Sequence, residues 1–177
     1  MPALVRQAPR PAELAHICVG VVFRTEHGAL TLTALALAYS HAVWAEFSGD
    51  DDTTTVPCHV LAHAWEFFGG APRTWLFETV RPTAAMQPDV LALARGCCAV
   101  ARPFTASDGV AWGEWALRCV PEQLLRRSLL RDLGQANRLL RVFADEMLRR
   151  ERLGMAGRRV HELLDEERGH LRCVGTP

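Results

Sequence analysis

Three apolar, β-branched segments follow one another near the start of this chain, separated only by short polar turns. They run over 15–24, 29–38 and 41–47. In the second segment Leu alternates with Ala and Thr, which is the period of two that is typical of a strand. Strands joined by connections this short pair antiparallel, whereas parallel strands need a long crossover. The sequence therefore predicts a three-stranded antiparallel meander.

Helical and strand patterns alternate after the meander. Val60, Leu61 and Ala64 begin a stripe with helical spacing, which ends at Gly69-Gly70. In chain order, the predicted elements are a helix over 54–68, a strand over 74–79, a helix over 88–96, a strand over 97–101, a helix over 110–120, a largely helical stretch over 124–152 broken near Gly134, and a last helix over 158–171. A meander followed by two α/β units has the element order of the ribonuclease H-like fold.

The composition is typical of one domain with a substantial core. Of the 177 residues, 49% are hydrophobic and 23% are charged, which excludes a disordered chain. We predict an α/β, ribonuclease H-like fold with a five-stranded mixed sheet, flanking helices and a helical C-terminal extension. The predicted boundaries are a lead-in segment over 1–12, a core domain over 13–123 and the helical extension over 124–177.

The cationic side chains are all arginine, because the sequence contains no lysine. A Schiff-base lysine and the lysine of a P-loop are therefore excluded, together with the enzymes that depend on them. The formal net charge is zero, but it divides into −4 over 1–117 and +4 over 118–177. If the protein binds a nucleic-acid backbone, we expect the helical C-terminal part to contact it.

No targeting or membrane-spanning segment is expected. The first ten residues contain two Arg and two Pro and lack the apolar run of a secretory signal. The longest apolar stretch, 29–39, is far shorter than the roughly 20 residues that a spanning helix needs. The six cysteines form no C-x-x-C pair, and we expect five of them to be small buried side chains. These features predict a cytoplasmic protein without a membrane partner.

The run 63–73, HAWEFFGGAPR, resembles the AFEFFGGVPR signature of insertion-sequence transposases of the IstA type. These are DDE-type enzymes with an integrase catalytic core, and they are accompanied by an AAA+ helper ATPase. Neighbouring segments are similar to the same family in register, over about residues 11–177. The matching segments are 15–20 with AQVDWG, 38–40 with GYSR, 75–80 with ILYDNLK, and 101–104 and 110–116 with RPYRPQTKGKVERAV.

The resemblance implies three carboxylates around two magnesium ions. One ion activates a water or a 3′-hydroxyl, and the other stabilises the leaving oxygen. At these positions this chain has Cys18, Glu78 and Glu114, with Thr79 where the family has Asn. Cys18 replaces an aspartate by a soft thiol that suits magnesium poorly, and Glu78 is one methylene longer than the family's aspartate. The basic KGK segment corresponds to 110–113, VAWG.

These departures favour a transposase-derived integrase-core module that is catalytically inactive and acts by binding. The candidate partners are a second copy of the chain, a related transposase, the AAA+ helper ATPase and DNA. No cofactor is expected in this interpretation.

The alternative is a metal-dependent enzyme that nicks DNA or transfers strands at a rebuilt site. Glu78 and Glu114 are then the catalytic carboxylates, and Cys18 joins them as a metal ligand, with magnesium or manganese as cofactor. His16 lies two residues before Cys18 and shares its strand face. A His/Cys/Glu site for zinc or manganese is the second form of this alternative.

Two further pairs of residues leave alternatives open. His59 and His63 are four residues apart on the predicted helix and could bind a metal together. We favour surface histidines, because the glutamate of an HExxH motif is absent. Trp112 and Trp115 either pack on the following helices or form a patch for self-association or another protein partner.

The other polar and thiol clusters are interpreted structurally. We expect Cys97 and Cys98 to lie in the core, and Ser107-Asp108 to cap a helix rather than to belong to a catalytic triad. The acidic triplet 50–52 is interpreted as a helix start rather than a calcium site.

Overall fold

Residues 9–25, 28–49, 57–78, 87–125, 132–152, 154–155 and 157–172 are described by a computed structural model. The strands are β1 (Leu14–Thr25), β2 (Gly28–Leu37), β3 (Val43–Gly49), β4 (Thr74–Phe77) and β5 (Val100–Pro103). The helices are α1 (Cys58–Phe68), α2 (Pro88–Gly96), α3 (Trp112–Cys119), α4 (Leu133–Leu148) and α5 (Val160–Arg168). Short 3-10 turns lie at Ala106–Asp108 and Glu122–Leu125.

The strands form one mixed sheet of five in the order β3-β2-β1-β4-β5. The first three strands pair antiparallel, which confirms the predicted meander. β4 pairs parallel with β1, and β5 pairs parallel with β4. The chain reaches each parallel strand through a connection that contains a helix, α1 before β4 and α2 before β5. The predicted α/β fold class and element order are confirmed.

Both faces of the sheet are covered, because alternate side chains of each strand point to opposite faces. Ala15 and Ile17 of β1 pack with α1, α2 and α5 on one face. Ala34 and Ala36 of β2 pack with α3 and α4 on the other. The largest fully buried side chains include Trp65, as predicted for a core tryptophan. The central strands therefore lie between two apolar layers, and their ends are where polar side chains can gather.

The strand β5 begins three residues later than predicted. Cys97 and Cys98 belong to the turn that ends α2, where Cys98 adopts a positive φ of 50°. Cys97 is buried, but Cys98 is exposed. The expected core position of Cys98 is therefore wrong, since a turn directs the two neighbouring side chains to different environments.

The predicted helical break near Gly134 is also displaced. Gly134 lies in the first turn of α4, and Asp132 caps that helix by accepting a hydrogen bond from the Gln135 amide at 2.9 Å. Asp132, the described residue before α4, is non-helical, so Gly134 lies inside the helix rather than at the break. The predicted start of the first helix at 54 lies outside the described residues, in which α1 begins at Cys58.

The C-terminal helices pack directly on the sheet. Leu140 and Phe143 of α4 are in one apolar layer, and Leu164 of α5 is in the other. Glu167 of α5 is completely buried and accepts hydrogen bonds from the amides of Ala12 at 2.9 Å and Ser40 at 3.3 Å. Burial raises the pKa of this carboxyl group. One side chain thus joins α5, the approach to β1 and the turn after β2.

The neighbouring leucines of α4 provide a matched test of this packing. Leu140 is 0% exposed and Leu139 is 37% exposed. We expect Leu140→Ala to lower the free energy of unfolding by about 2–5 kcal/mol, because it opens a cavity in the core. Leu139→Ala should change it by less than about 0.5 kcal/mol. Urea denaturation of both variants measures the difference, and equal losses would contradict the described burial.

Candidate functional site

The candidate site lies where β1, the end of β4 and the start of α3 meet. Cys18 is on β1, and Glu78 directly follows β4. The parallel pairing of the two strands continues to Glu78, whose amide donates to the Ile17 carbonyl at 2.7 Å. Glu114 is in the first turn of α3. The predicted positions Cys18, Glu78 and Glu114 are therefore brought together by three separate elements.

Gly113 allows α3 to approach the two strands closely. A Cβ atom at this position would lie 2.9 Å from the Cys18 nitrogen and 2.9 Å from a Glu78 carboxylate oxygen. Both distances are shorter than a van der Waals contact, so any residue other than glycine would push α3 away from the two strands. The first turn of α3 thus closes directly over Cys18 and Glu78.

Both carboxylate oxygens of Glu78 are occupied by protein groups. Nδ1 of His16 bonds Oε1, and the Glu114 amide donates to Oε2 at 2.7 Å. The His16 side chain is 1% exposed and that of Glu78 is 4% exposed. Ala111, at the N-cap of α3, has no side chain that can accept from the free amides of the first turn. Glu78 performs this capping function from outside the helix.

Cys18 is a protonated thiol at this junction. Burial, and then the nearby charges of Glu78 and Glu114, raise its pKa to about 12. At neutral pH the group is therefore neither a thiolate nucleophile nor a thiolate ligand. The sulfur replaces the hard oxygen that the resemblance implies at this position.

Glu114 differs from the other two residues because its side chain is 52% exposed. Its Oε1 accepts a hydrogen bond from Nη2 of Arg118 at 2.5 Å, one helical turn further along α3. Its backbone amide is turned towards Glu78. Glu114 thus contributes its backbone amide to the site, whereas its carboxylate is paired with Arg118 at the surface.

These residues do not fit magnesium as they are arranged. Magnesium requires hard oxygen ligands in a near-octahedral arrangement. Here the first position is a protonated sulfur, the second carboxylate has both oxygens in internal hydrogen bonds, and the third is paired with Arg118. Within the described ranges, no three His, Cys, Asp or Glu side chains come together in a way that could hold a metal ion.

An open cavity of about 670 Å³ adjoins the junction. His16 and Trp112 line it together with Arg10, Asp108 and Val110. Asp108 is paired with Arg102, whose guanidinium hydrogen bonds, followed by those from Thr105, lower the pKa of this carboxyl group. The cavity is thus bordered by an aromatic side chain and by a carboxylate, Asp108, that is paired within the chain.

Trp112 and Trp115 are half-buried. Both rings pack against His41 as well as against each other. The His41 ring centre lies 3.9 Å from that of Trp112 and 5.6 Å from that of Trp115. His41 is 1% exposed, has a positive φ of 63°, and neither of its ring nitrogens has a hydrogen-bond partner within the described chain. Packing of the tryptophans on their own chain is therefore the better-supported alternative.

The remaining candidate residues have structural contacts. Asp108 closes a capping box with Thr105, and the helix α3 begins four residues later. His59 is exposed, and Nδ1 of His63 lies 3.0 Å from Oε1 of Glu46. Thr79 and the acidic triplet 50–52 lie outside the described residues.

Three buried titratable residues were not singled out from the sequence. They are His41, Glu46 and Glu167. Glu46 and Ser48 are the polar positions in a strand that is otherwise apolar, and such an interruption is the available signal for Glu46. His41 lies at a turn and Glu167 in an acidic helical stretch, so no sequence pattern indicates that these two side chains are buried.

No known protein family and no curated protein sequence matches this chain. Several solved integrase structures do match it. The HTLV-2 integrase catalytic core domain in complex with magnesium, in its trimeric form, has a TM-score of 0.60 at 13% identity, covering 89% of this chain and 99% of that one. The catalytic core domain of BIV integrase has a TM-score of 0.58 at 14% identity, covering 90% and 98%.

A chain of the simian T-cell lymphotropic virus intasome is similar to the same extent. Its TM-score is 0.61 at 13% identity, and the match covers 89% of this chain and 59% of that one. The protein therefore has the ribonuclease H-like fold of retroviral integrase catalytic cores. Among the described residues, no helix is both long and apolar enough to cross a membrane.

Two glycines test how closely α3 approaches the strands. We expect Gly113→Ala to lower the free energy of unfolding by about 1–3 kcal/mol, because the added methyl group overpacks the junction. Gly96→Ala is the matched control, since nothing lies within 4 Å of a Cβ at the end of α2. Guanidinium denaturation measures both. A Gly113→Ala protein as stable as Gly96→Ala would refute the described contact.

The burial of His41 predicts a pH-dependent stability. Burial, and then the charges of Arg152 and His16, lower its pKa to about 3, against about 6.5 in an unfolded chain. Between these values the unfolded state binds the extra proton, so stability falls as the pH decreases from about 6.5 towards 3. One such group changes the free energy of unfolding by up to about 1.4 kcal/mol per pH unit.

His41→Asn keeps a residue that tolerates positive φ and removes the titrating ring. We expect the unfolding free energy of this variant to depend less steeply on pH over that range than that of the wild type. His170→Asn, at an exposed position, should keep the wild-type slope. Identical slopes for all three proteins would contradict a buried neutral His41.

Proposed function

We propose that this protein is a transposase-derived integrase-core module of the IstA type that is catalytically inactive and acts by binding. The observation that carries the proposal is the state of Glu78. Its two oxygens are bound by His16 and by the Glu114 amide, and its side chain is almost fully buried. A carboxylate that caps a helix in this way is not available to a magnesium ion without opening the junction.

Cys18 supports the same conclusion by independent chemistry. The buried thiol stays protonated at neutral pH, because its pKa is raised to about 12. A neutral sulfur binds magnesium poorly compared with the aspartate that the resemblance implies. Two of the three positions at which the resemblance implies catalytic carboxylates are thus unsuited to magnesium, each for a different chemical reason.

The surroundings of the site favour contacts other than those of a transposase with its DNA substrate. Val110, 55% exposed, and half-buried Trp112 border the cavity where the resemblance implies basic residues. Exposed arginines, among them Arg138 and Arg149, lie on and after α4 instead. We propose that self-association or binding of a protein partner uses the apolar cavity border, and that a DNA backbone, if bound, contacts the arginines of α4.

Nicking of supercoiled plasmid tests the inactivity. The wild type, Glu114→Gln and Glu122→Gln are compared in magnesium, manganese and zinc. Glu122 is an exposed glutamate on the 3-10 turn after α3, so it controls for a change of surface charge. We expect no nicking by the wild type above the level of Glu114→Gln. Nicking by the wild type and by Glu122→Gln that Glu114→Gln abolishes would establish the alternative, a metal-dependent enzyme.

Three measurements test the binding part of the proposal. Size-exclusion chromatography with light scattering reports self-association, and titration of duplex DNA at several salt concentrations reports backbone contacts through the salt dependence of affinity. A third measurement is co-purification with the related transposase and with the helper ATPase. A protein that is monomeric, binds no DNA and co-purifies with neither would overturn a binding role. The variant Cys18→Asp/Glu78→Asp shows in the same nicking assay whether the remaining site is competent.

A further inference from the structure

We propose that His59 and His63 of α1 form a binding site for a divalent transition-metal ion such as zinc or nickel, and that Glu46 of β3 positions His63 for it. The proposal is independent of the proposed function, because these residues are separate from the β1–β4–α3 junction. Ala15 and Ile17 pack on the α1 side of the sheet, so His16 and Cys18, which alternate with them along β1, face α3 on the other side.

The two histidines have the spacing that a shared ion requires. Residues four apart on a helix are neighbours on its surface. The ring centres of His59 and His63 are 5.9 Å apart. A zinc–nitrogen bond of about 2.0–2.1 Å places the ion roughly 3 Å from the centre of each ring, so two rings on one tetrahedral ion have centres about 5 Å apart. The observed separation is larger by about 1 Å, which a small rotation of the exposed His59 side chain can remove.

Glu46 provides the feature that distinguishes this pair from ordinary surface histidines. Its Oε1 and Oε2 lie 3.0 Å and 3.1 Å from Nδ1 of His63. The Glu46 side chain is 7% exposed, and the Trp44 indole donates to Oε2 at 3.2 Å, which fixes the carboxylate in place. The Glu46 carboxylate accepts a hydrogen bond from Nδ1–H of His63, so that Nε2 presents its lone pair. Histidine ligands of metal ions characteristically have such a carboxylate behind them.

The site is accessible and selective in its chemistry. The His63 side chain is 42% exposed and His59 is exposed, so an ion can reach both. Imidazole nitrogens suit zinc, nickel and copper, whereas magnesium and calcium prefer oxygen. Since no third His, Cys, Asp or Glu within the described ranges completes the site, water or a ligand from a partner fills the remaining positions. We expect an exchangeable surface ion rather than a structural one.

Isothermal titration of the whole protein with zinc chloride, nickel chloride and magnesium chloride tests the proposal. Cys98→Ser serves as the background, because the Cys98 thiol is exposed and could bind zinc itself. We expect one equivalent of zinc or nickel to bind and magnesium not to compete. His59→Gln and His63→Gln should each abolish this binding, whereas His170→Gln, an exposed histidine after α5, should leave it unchanged.

The positioning role of Glu46 has its own measurements. Glu46→Gln retains the size of the side chain. It should weaken binding of the ion by about 10–100-fold and leave the urea midpoint unchanged. Long-range proton–nitrogen spectra of the metal-free protein should place the His63 proton on Nδ1. A proton on Nε2, or full affinity in Glu46→Gln, would overturn this role. Absence of zinc and nickel binding, or binding that survives loss of both histidines, would overturn the site itself.

Discussion

The carboxylate of Glu78 holds three elements of this fold together. It follows β4, bonds a histidine of β1 and caps the first turn of α3. Its burial is tolerable because both oxygens have partners; a carboxylate left unpaired at such a position would be strongly destabilising. The close approach of α3 at Gly113 depends on the same arrangement. A carboxylate at a position that the resemblance associates with catalysis thus has a structural function here.

The part of the chain that the structure describes contains two histidine–carboxylate pairs that differ mainly in burial. In His16–Glu78 both side chains are nearly inaccessible and the second carboxylate oxygen is used by a helix. In His63–Glu46 only the carboxylate is buried, and the imidazole extends to the surface. The first pair therefore contributes to cohesion, whereas the second leaves a ring nitrogen accessible to a ligand. The same two groups have different chemical uses because the elements around them place them at different depths.

The regular parts of the fold could be predicted from the sequence, and the deviations have local causes. The alternation of apolar residues located the meander, and their helical spacing located α1, because burial of one face produces a periodic pattern of apolar residues. The start of β5 was missed, since the positive φ of Cys98 is a backbone property that apolar composition does not encode. The capping role of Glu78 was missed because it depends on a helix 36 residues away.

The candidate site was predicted only in part. The positions Cys18, Glu78 and Glu114 were located by resemblance, and the structure brings them together. The partnership of His16 with Glu78 joins residues that are 62 positions apart, and that of His63 with Glu46 crosses from a helix to a strand. Such pairings follow from tertiary packing, so the sequence indicated the groups but not what each of them binds.

The buried Glu167 also bears on how this chain reaches its folded state. Its contact with the Ala12 amide closes a loop of 155 residues, and the backbone of Ala71 pairs with Arg172. Contacts over such separations form late, because the entropy of closing the loop must be overcome before they stabilise anything. During synthesis the meander is made before the helices that follow it, and one face of its core stays incomplete until α5 has been made. Until then its apolar strands are exposed to pairing with other chains.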